Sequence, residues 1–421
     1  MKKRLMKKLA WALAVAQIFT VNPALCVSAE EADTAETVEV NAPASEEARF
    51  EDVLDAEAAE DVASSESEAI NDGLVDPEDP NIKASGYFSN GETGPYYALY
   101  NDGRMVIEGT GEISFFAGSP EETEFKNALS WAKTVTVESG ITGIPYGLFK
   151  EAPVLESVTL PDSVTSMGSH LFDGCNKLNS VRLPQGYAEA IPAGLFRECV
   201  SLKNVTIPAG VTGINESAFQ GSGITSINIP KNVLYIETAA FETCYNLTAV
   251  TGGEGLSEIK NNAFNLCSSL SSFNFGDNIK TIGASAFYEC ALNFIYVPGT
   301  VENLGENCFA NNYADTVIIG DGVTRIPANA FAGCNGFGIL YLPSSVTYVG
   351  NGAFNTLNSS NVKNKKQPQY EVVTFDDVFF GGSEAEFQKA FEGNTENHSV
   401  LDCPNIHYNS KMPILYTVSF D

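Results

Sequence analysis

The stretch IGASAFYEC, residues 282–290, places a phenylalanine at position 287 and a cysteine three residues after it. Taken alone, Cys290 could be a nucleophile, half of a disulfide or part of the packing. The same phrase recurs, because IKNNAFNLC ends at Cys267 and RIPANAFAGC ends at Cys334. Catalysis needs a nucleophile once, whereas packing needs the same residue in every copy of a repeat. The recurrence therefore indicates a fold that is built from repeated units.

The repeat has a fixed period. Successive phenylalanines at this position are 22 to 24 residues apart. A period in this range is typical of solenoids, in which each unit buries its apolar side against its neighbours. The sequence predicts about ten coils over residues 132–376. The repeat phenylalanines are Phe149, Phe172, Phe196, Phe219, Phe241, Phe264, Phe287, Phe309, Phe331 and Phe354.

One coil illustrates the physical logic. LKNVTIPAGVTGINESAF begins at Leu202, and its first residues have the alternation of a strand that points Val205 and Ile207 inward and Thr206 outward. Pro208 then ends the strand, since proline cannot donate to a ladder. Phe219 fills the far side of the coil. Stacking such units predicts a mostly β and irregular, right-handed solenoid with parallel strands on its concave face.

These phrases resemble the BspA-type leucine-rich repeat family of bacterial surface proteins. Two flanking pieces resemble the neighbours of such repeats. YYALYNDGRMVIEGTGEI, residues 96–113, is similar to a β-hairpin cap, and we assign residues 84–131 to this cap. DVFFGGSEAEFQKAF with PNIHYNS is similar to a closing β–α–β unit within residues 377–421, in which Ser383 and Glu386 form a capping box. The resemblance implies attachment or recognition at the cell surface, without catalysis.

The first 83 residues are expected to lie outside the fold. Residues 1–29 combine the basic MKKRLMKK, a short apolar run and VSA at a cleavage site, which is typical of a signal peptide. Residues 30–83 hold 19 acidic residues against Arg49 and Lys83. Such a segment buries too little apolar surface to fold, so we predict an acidic disordered spacer. The mature chain is therefore expected to be extracellular, either secreted or surface-associated.

The charge of the chain excludes one class of partner. Its formal net charge is −29, and its folded part is acidic as well. Nucleic-acid binders need a basic face, and membrane-surface binding needs a basic patch. We therefore expect no nucleic-acid partner and no membrane insertion after signal cleavage.

The cysteines and histidines suggest no catalytic or metal site. Six cysteines lie three residues after a repeat phenylalanine, and Cys244, Cys267 and Cys290 form a run of three that cannot all pair. Buried free thiols explain this register, and one or two disulfides or a metal site are the alternatives. The histidines are His170, His398 and His407, and no catalytic motif or phosphate-binding loop is present. We predict a protein with no cofactor and no enzymatic activity.

A candidate ligand site emerges from the outward strand positions, which line the binding surface of solenoids. In the first six coils these positions carry small polar residues such as Thr159, Thr206 and Asn228. The next three coils carry large apolar or aromatic residues. The predicted concave patch comprises Phe294, Tyr296, Thr316, Ile318, Ile339 and Tyr341.

Two functions compete for this patch. As a binding or adhesion protein, a monomer would contact a protein or a glycan through it, on a host matrix or a cell surface. As a structural spacer, the chain would cover the patch with its own cap or with the insertion at 355–368, where SSNVKNKKQP predicts an exposed loop.

Overall fold

The computed structural model describes residues 79–89, 94–115, 118–334, 338–355, 357–358, 371–372, 374–394 and 396–411. These residues form a parallel β-solenoid of about nine turns with little helix, which confirms the predicted repeat fold. The predicted signal peptide, nearly all of the spacer and most of the insertion lie outside the described residues.

Most coils have one longer strand, in which every second side chain faces outward. We call the surface made by these outward side chains the strand face. Its strands pair in parallel with their counterparts in the next coil. They are β5 (Thr134–Val137), β7 (Ser157–Thr159), β9 (Ser180–Arg182), β11 (Ser226–Ile229), β13 (Ala249–Gly252), β16 (Phe294–Val297), β18 (Thr316–Ile319) and β20 (Ile339–Leu342).

A second strand of only two to four residues follows in most coils, after the turn at the repeat proline. These strands also pair in parallel from coil to coil. They are β6 (Ile141–Ile144), β8 (Ser166–Met167), β10 (Gly213–Ile214), β12 (Tyr235–Ile236), β14 (Glu258–Ile259), β15 (Thr281–Ile282), β17 (Asn303–Leu304), β19 (Arg325–Ile326) and β21 (Tyr348–Val349).

The repeat phenylalanines form a column through the core. All ten are fully buried, as predicted. Eight of the nine neighbouring ring pairs are stacked, such as Phe241 on Phe264 with centroids 5.0 Å apart. The pair Phe196 and Phe219 is tilted by 32°. Each buried ring contributes roughly 1.5–3 kcal/mol through the apolar area that it removes from water.

The turn that carries this ring uses the left-handed backbone region at a fixed position. The residue two before each repeat phenylalanine has positive φ, whether it is Gly194, His170, Asn262 or Ala239. Residues other than glycine adopt this conformation at a cost, which the surrounding contacts must offset. His170 therefore occupies a backbone position that every coil has.

The N-terminal cap closes the first coil. β1 (Ile82–Tyr87), β2 (Tyr96–Tyr100) and β3 (Arg104–Glu108) form an antiparallel sheet that β5 continues in parallel, and β4 (Gly111–Glu112) pairs with β6. The predicted hairpin is confirmed, with its turn at Asn101–Gly103. Helix α1 (Pro120–Leu129) packs its Phe125 against Phe149 and so ends the phenylalanine column.

The C-terminal unit closes the other end. β24 (Asp377–Phe380) pairs with β20, and β25 (Ile406–His407) pairs with β24. Helices α2 (Glu384–Ala390) and α3 (His398–Leu401) lie between them in the chain. The predicted capping box is confirmed, since Ser383 and Glu386 bond to each other's backbone. Before this unit, β22 (Leu357–Asn358) and β23 (Glu371–Val372) pair at the base of the insertion.

The strand predicted at the start of LKNVTIPAGV is wrong, because residues 202–208 form no strand. The side-chain directions are nevertheless as predicted, with Leu202 and Ile207 buried and Thr206 exposed. This interruption follows the longest phenylalanine interval, the 24 residues from Phe172 to Phe196. A second coil also forms no strand, at residues 271–276, although the phenylalanine intervals on both sides of Phe264 are 23 residues, so interval length alone does not explain the missing strands.

Candidate functional site

Strand register brings all six predicted site residues together. Phe294 lies beside Thr316, and Thr316 lies beside Ile339, in one outward column. Tyr296, Ile318 and Tyr341 form the second column in the same way. Parallel neighbours in such a sheet are about 4.8 Å apart, so the six side chains form one continuous surface.

Most of this patch is closed to solvent. Thr316, Ile318, Ile339 and Tyr341 are between 3% and 7% exposed. Phe294 is 39% exposed, and Tyr296 is half-buried. Large side chains on in-register strands shield each other at this spacing, and Tyr341 is also covered from the C-terminal unit. The accessible part of the predicted site is therefore its first strand, β16.

The second column extends into the C-terminal unit as an aromatic stack. The ring of Phe379 lies 4.6 Å from that of Tyr341, and the ring of His407 lies 4.6 Å from that of Phe379. His407 also pairs its Nε2 with Asp377 Oδ1 at 3.0 Å. The sequence prediction missed Phe379 and His407. Strand alternation in DVFF was the available signal for Phe379, since it places that ring on the same face as Tyr341.

Burial changes the chemistry of the two tyrosines. It raises the pKa of Tyr341, and the nearby Asp377 carboxylate raises it further. Burial likewise raises the pKa of Tyr296, with a smaller contribution from Asp277. Both phenols are therefore neutral hydrogen-bond donors at physiological pH.

The outward residues of β5, β7, β9, β11 and β13 form what we call the polar half of the strand face, and those of β16, β18, β20 and β24 form its apolar half. The polar half is open to solvent at Thr159, Arg182, Asn228 and Thr251. Its side chains bond from coil to coil, for example Thr251 Oγ1 to Asn228 Oδ1 at 3.1 Å. This half offers donors and acceptors rather than apolar area.

The cysteines belong to the core. All eight cysteines in the described residues are free and buried, in agreement with the packing interpretation. Each thiol in the repeat position donates to the carbonyl of the preceding coil's phenylalanine, as Cys267 does to Phe241 at 3.1 Å. Asn312 takes the same position after Phe309 and donates through Nδ2 to the carbonyl of Phe287 at 2.8 Å. In seven coils this position therefore holds a donor that bonds a buried carbonyl, while Ala152 and Ser222 occupy it in two others.

These thiols are poor nucleophiles. Burial raises the pKa of Cys175, Cys244 and Cys334 to about 12. The thiolate is the reactive form of cysteine, and a thiol with such a pKa is almost entirely protonated at neutral pH. Burial also raises the pKa of Cys290, the residue for which the sequence left a role as a nucleophile open.

The three histidines each pair with an aspartate. His170 Nδ1 lies 3.1 Å from Asp173 Oδ2, which Lys150 and Arg197 also contact. His398 pairs with Asp402 at 3.2 Å. Within the described residues, the histidine rings bond to aspartates and not to a serine or a cysteine, and no group of three or more potential ligands could hold a metal ion. No helix in this part of the chain is long and apolar enough to cross a membrane.

Comparison with known proteins agrees with this geometry. The profile of the BspA type leucine rich repeat region matches in six copies, over residues 121–248, 189–315 and 313–384. No protein of curated function matches the sequence.

Several solved structures resemble the chain. A leucine-rich repeat protein of Treponema pallidum is 25% identical, with a TM-score of 0.36, and the match covers 46% of this chain and 85% of that one. One from Bacteroides ovatus is 18% identical, with a TM-score of 0.43, over 80% and 91%. A leucine rich cell surface protein of Faecalibacterium prausnitzii is 19% identical, with a TM-score of 0.36, over 76% and 94%. Because the family profile covers more than half of its residues, this chain belongs to the BspA-type leucine-rich repeat family.

Proposed function

We propose that this protein is an exported, surface-associated binding protein that contacts a protein or a glycan through its strand face. Membership of a repeat family whose resemblance implies attachment or recognition supports this proposal. The signal-peptide pattern of residues 1–29 supports export. The accessible centre of the surface lies at β16, where the apolar half begins.

One observation supports the proposal most strongly. Phe294 is 39% exposed at an outward position whose partner residues in the polar half are small, such as Ser180 and Ser226. The fold does not need a large ring there, because those coils pack without one. An exposed aromatic side chain beside half-buried Tyr296 and a polar surface has the composition of an interaction site.

A structural spacer is the second candidate, and the burial of the remaining patch favours it. Thr316, Ile318, Ile339 and Tyr341 are covered within the chain itself, so they offer no contact surface to a rigid partner. On this account the apolar half only strengthens the C-terminal coils. It predicts no ligand for the strand face.

A binding screen with matched variants separates the two functions. The full chain is screened against glycans and extracellular matrix proteins, and the double variant Phe294→Ala/Tyr296→Ala is compared with Thr206→Ala/Asn228→Ala on any partner found. If the strand face binds the partner, the aromatic double variant should lose at least about tenfold in affinity, and the affinity of the polar control should change less. Equal effects in the two variants, or a screen without a partner, would contradict the proposed site and favour the spacer.

A further inference from the structure

The N-terminal cap contains a groove that the strand face does not use. β1 is an edge strand, and its residues Ala84 and Gly86 lie opposite Leu99 and Tyr97 of β2. Directly opposed residues share one face of a sheet, and here that face packs against helix α1. Because the residues of β1 are small, they leave a space between the edge strand and the helix. This space has a volume of about 350 Å3.

The floor of the groove carries a hydrogen-bonding group. Tyr97 lines the groove and is only 2% exposed. Its hydroxyl can donate one hydrogen bond and accept others. Burial raises the pKa of Tyr97 to about 12, with a further contribution from Glu124, so the phenol remains protonated. A ligand oxygen in the groove would accept a hydrogen bond from this phenol.

The rim combines an aromatic plane with several polar groups. Trp131 is 61% exposed even though the Lys83 ammonium lies 3.5 Å from its ring centroid. Lysine covers one face of the indole, so much of the ring remains open. The carboxylate of Glu124 and the amide of Asn127 line the same groove and are exposed.

We propose that this groove binds a pyranose unit of a neutral glycan. A pyranose has an apolar C–H face, which suits the Trp131 ring, and hydroxyl groups that suit Tyr97, Glu124 and Asn127. The volume lies near the lower end of the range for small-molecule sites, about 300–1,000 Å3, and therefore fits a short ligand. The charges of Lys83 and Glu124, which both line the groove, balance each other, and this suits a neutral sugar better than a charged one. This site is separate from the strand face and does not depend on the function proposed for it.

The chain offers a direct spectroscopic test. It contains two tryptophans, and Trp11 lies in the predicted signal peptide, so Trp131 is the fluorophore of the mature chain. The mature chain is titrated with maltotriose, cellotriose and chitotriose up to millimolar concentrations while its fluorescence is recorded. We expect a saturable change with at least one of these sugars, and the same affinity by calorimetry.

Matched variants then locate the binding. Trp131→Ala should weaken the calorimetric affinity by at least about tenfold, whereas Tyr313→Ala should leave it unchanged. Tyr313 is a suitable control, since it is also 61% exposed but lies outside the groove. Thermal unfolding of each variant checks that it folds, and Trp131→Phe keeps an aromatic ring should the alanine variant fail.

Three outcomes would overturn the inference. One is the absence of any saturable change with the three sugars, and another is an equal loss in Trp131→Ala and Tyr313→Ala. The third is saturable binding of a soluble peptide of alternating valine and lysine in place of the sugars, which would identify the edge strand β1 as a peptide-pairing site. The Phe294→Ala/Tyr296→Ala variant should bind the sugar normally, so failure of the strand-face proposal remains distinguishable.

Discussion

The two halves of the strand face have the same strand pairing and different surfaces. In the polar half, Thr159 and Asn228 stand open to solvent. In the apolar half, Ile318 and Tyr341 occupy the same outward positions and are at most 7% exposed. Outward direction therefore does not make a side chain accessible. Accessibility depends on the size of the neighbours in the adjacent coils.

Both halves share the same phenylalanine core, and a substitution in this core should have the largest effect on stability. Phe264 stacks between Phe241 and Phe287 with centroids 5.0 and 5.1 Å away and is fully buried. Phe264→Ala should lower the free energy of unfolding by about 3–5 kcal/mol, because it leaves a cavity in the column. Urea denaturation measures this loss. A change below about 0.5 kcal/mol, as expected for a surface residue, would contradict the common core.

The second prediction compares the halves directly. Tyr341 is 7% exposed and stacks on Phe379, so Tyr341→Ala should lower the free energy of unfolding by about 2–4 kcal/mol. Thr159 is at the equivalent position in the polar half and is exposed, so Thr159→Ala should cost less than about 0.5 kcal/mol. Denaturation of the two variants side by side gives the contrast. Equal losses would show that the apolar half is as open as the polar half.

The regular part of the fold could be predicted because one residue type repeats at one spacing. The period of the phenylalanines specifies the length of a coil. The capping box at the start of helix α2 and the hairpin turn at Asn101–Gly103 depend only on residues close together in sequence, so they could be predicted as well. Helix α1 was missed although Ser119 and Pro120 carry a helix-start signal. The strand at residues 202–208 was predicted in error, since pairing depends on the alignment of two coils and not on one.

The candidate site could be predicted only in part. Alternation correctly gave the direction of Phe294 and Tyr296, since direction is a local property of a strand. Burial of Tyr341 depends on Phe379, which lies 38 residues further along the chain and reaches it through the C-terminal unit. The groove at Trp131 likewise depends on the packing of helix α1 against β1 and β2, which lie earlier in the chain and are separated from the helix by β3 and β4. Local patterns do not contain such contacts.

The third prediction asks whether the buried thiols behave alike in the two halves. Their pKa is raised from 9.0 to about 12 at Cys175, beside the polar half, and at Cys334, beside the apolar half. For an acid whose folded pKa is raised, the stabilisation is fully present below about pH 9 and is lost as the pH rises toward about 12. Unfolding measured across this range should therefore show a progressive loss of stability.

A thiol reagent provides the control for that prediction. At neutral pH the eight described cysteines should react in denaturant and not in the folded chain, because they are buried and protonated. Fast labelling of Cys175 alone or Cys334 alone would show that one half opens more readily than the other. Disulfides found by mass spectrometry would contradict the free thiols of the structure.

Oxidative footprinting by mass spectrometry tests the central claim, that the strand face is open at β16 and closed beyond it. In the free chain, Phe294 and the exposed control Tyr313 should be labelled, while Tyr341 and Phe264 should be protected. With a partner from the binding screen, Phe294 should become protected and Tyr313 should not. Labelling of Tyr341 at the rate of Tyr313 in the free chain, or continued labelling of Phe294 in the complex, would contradict the claim.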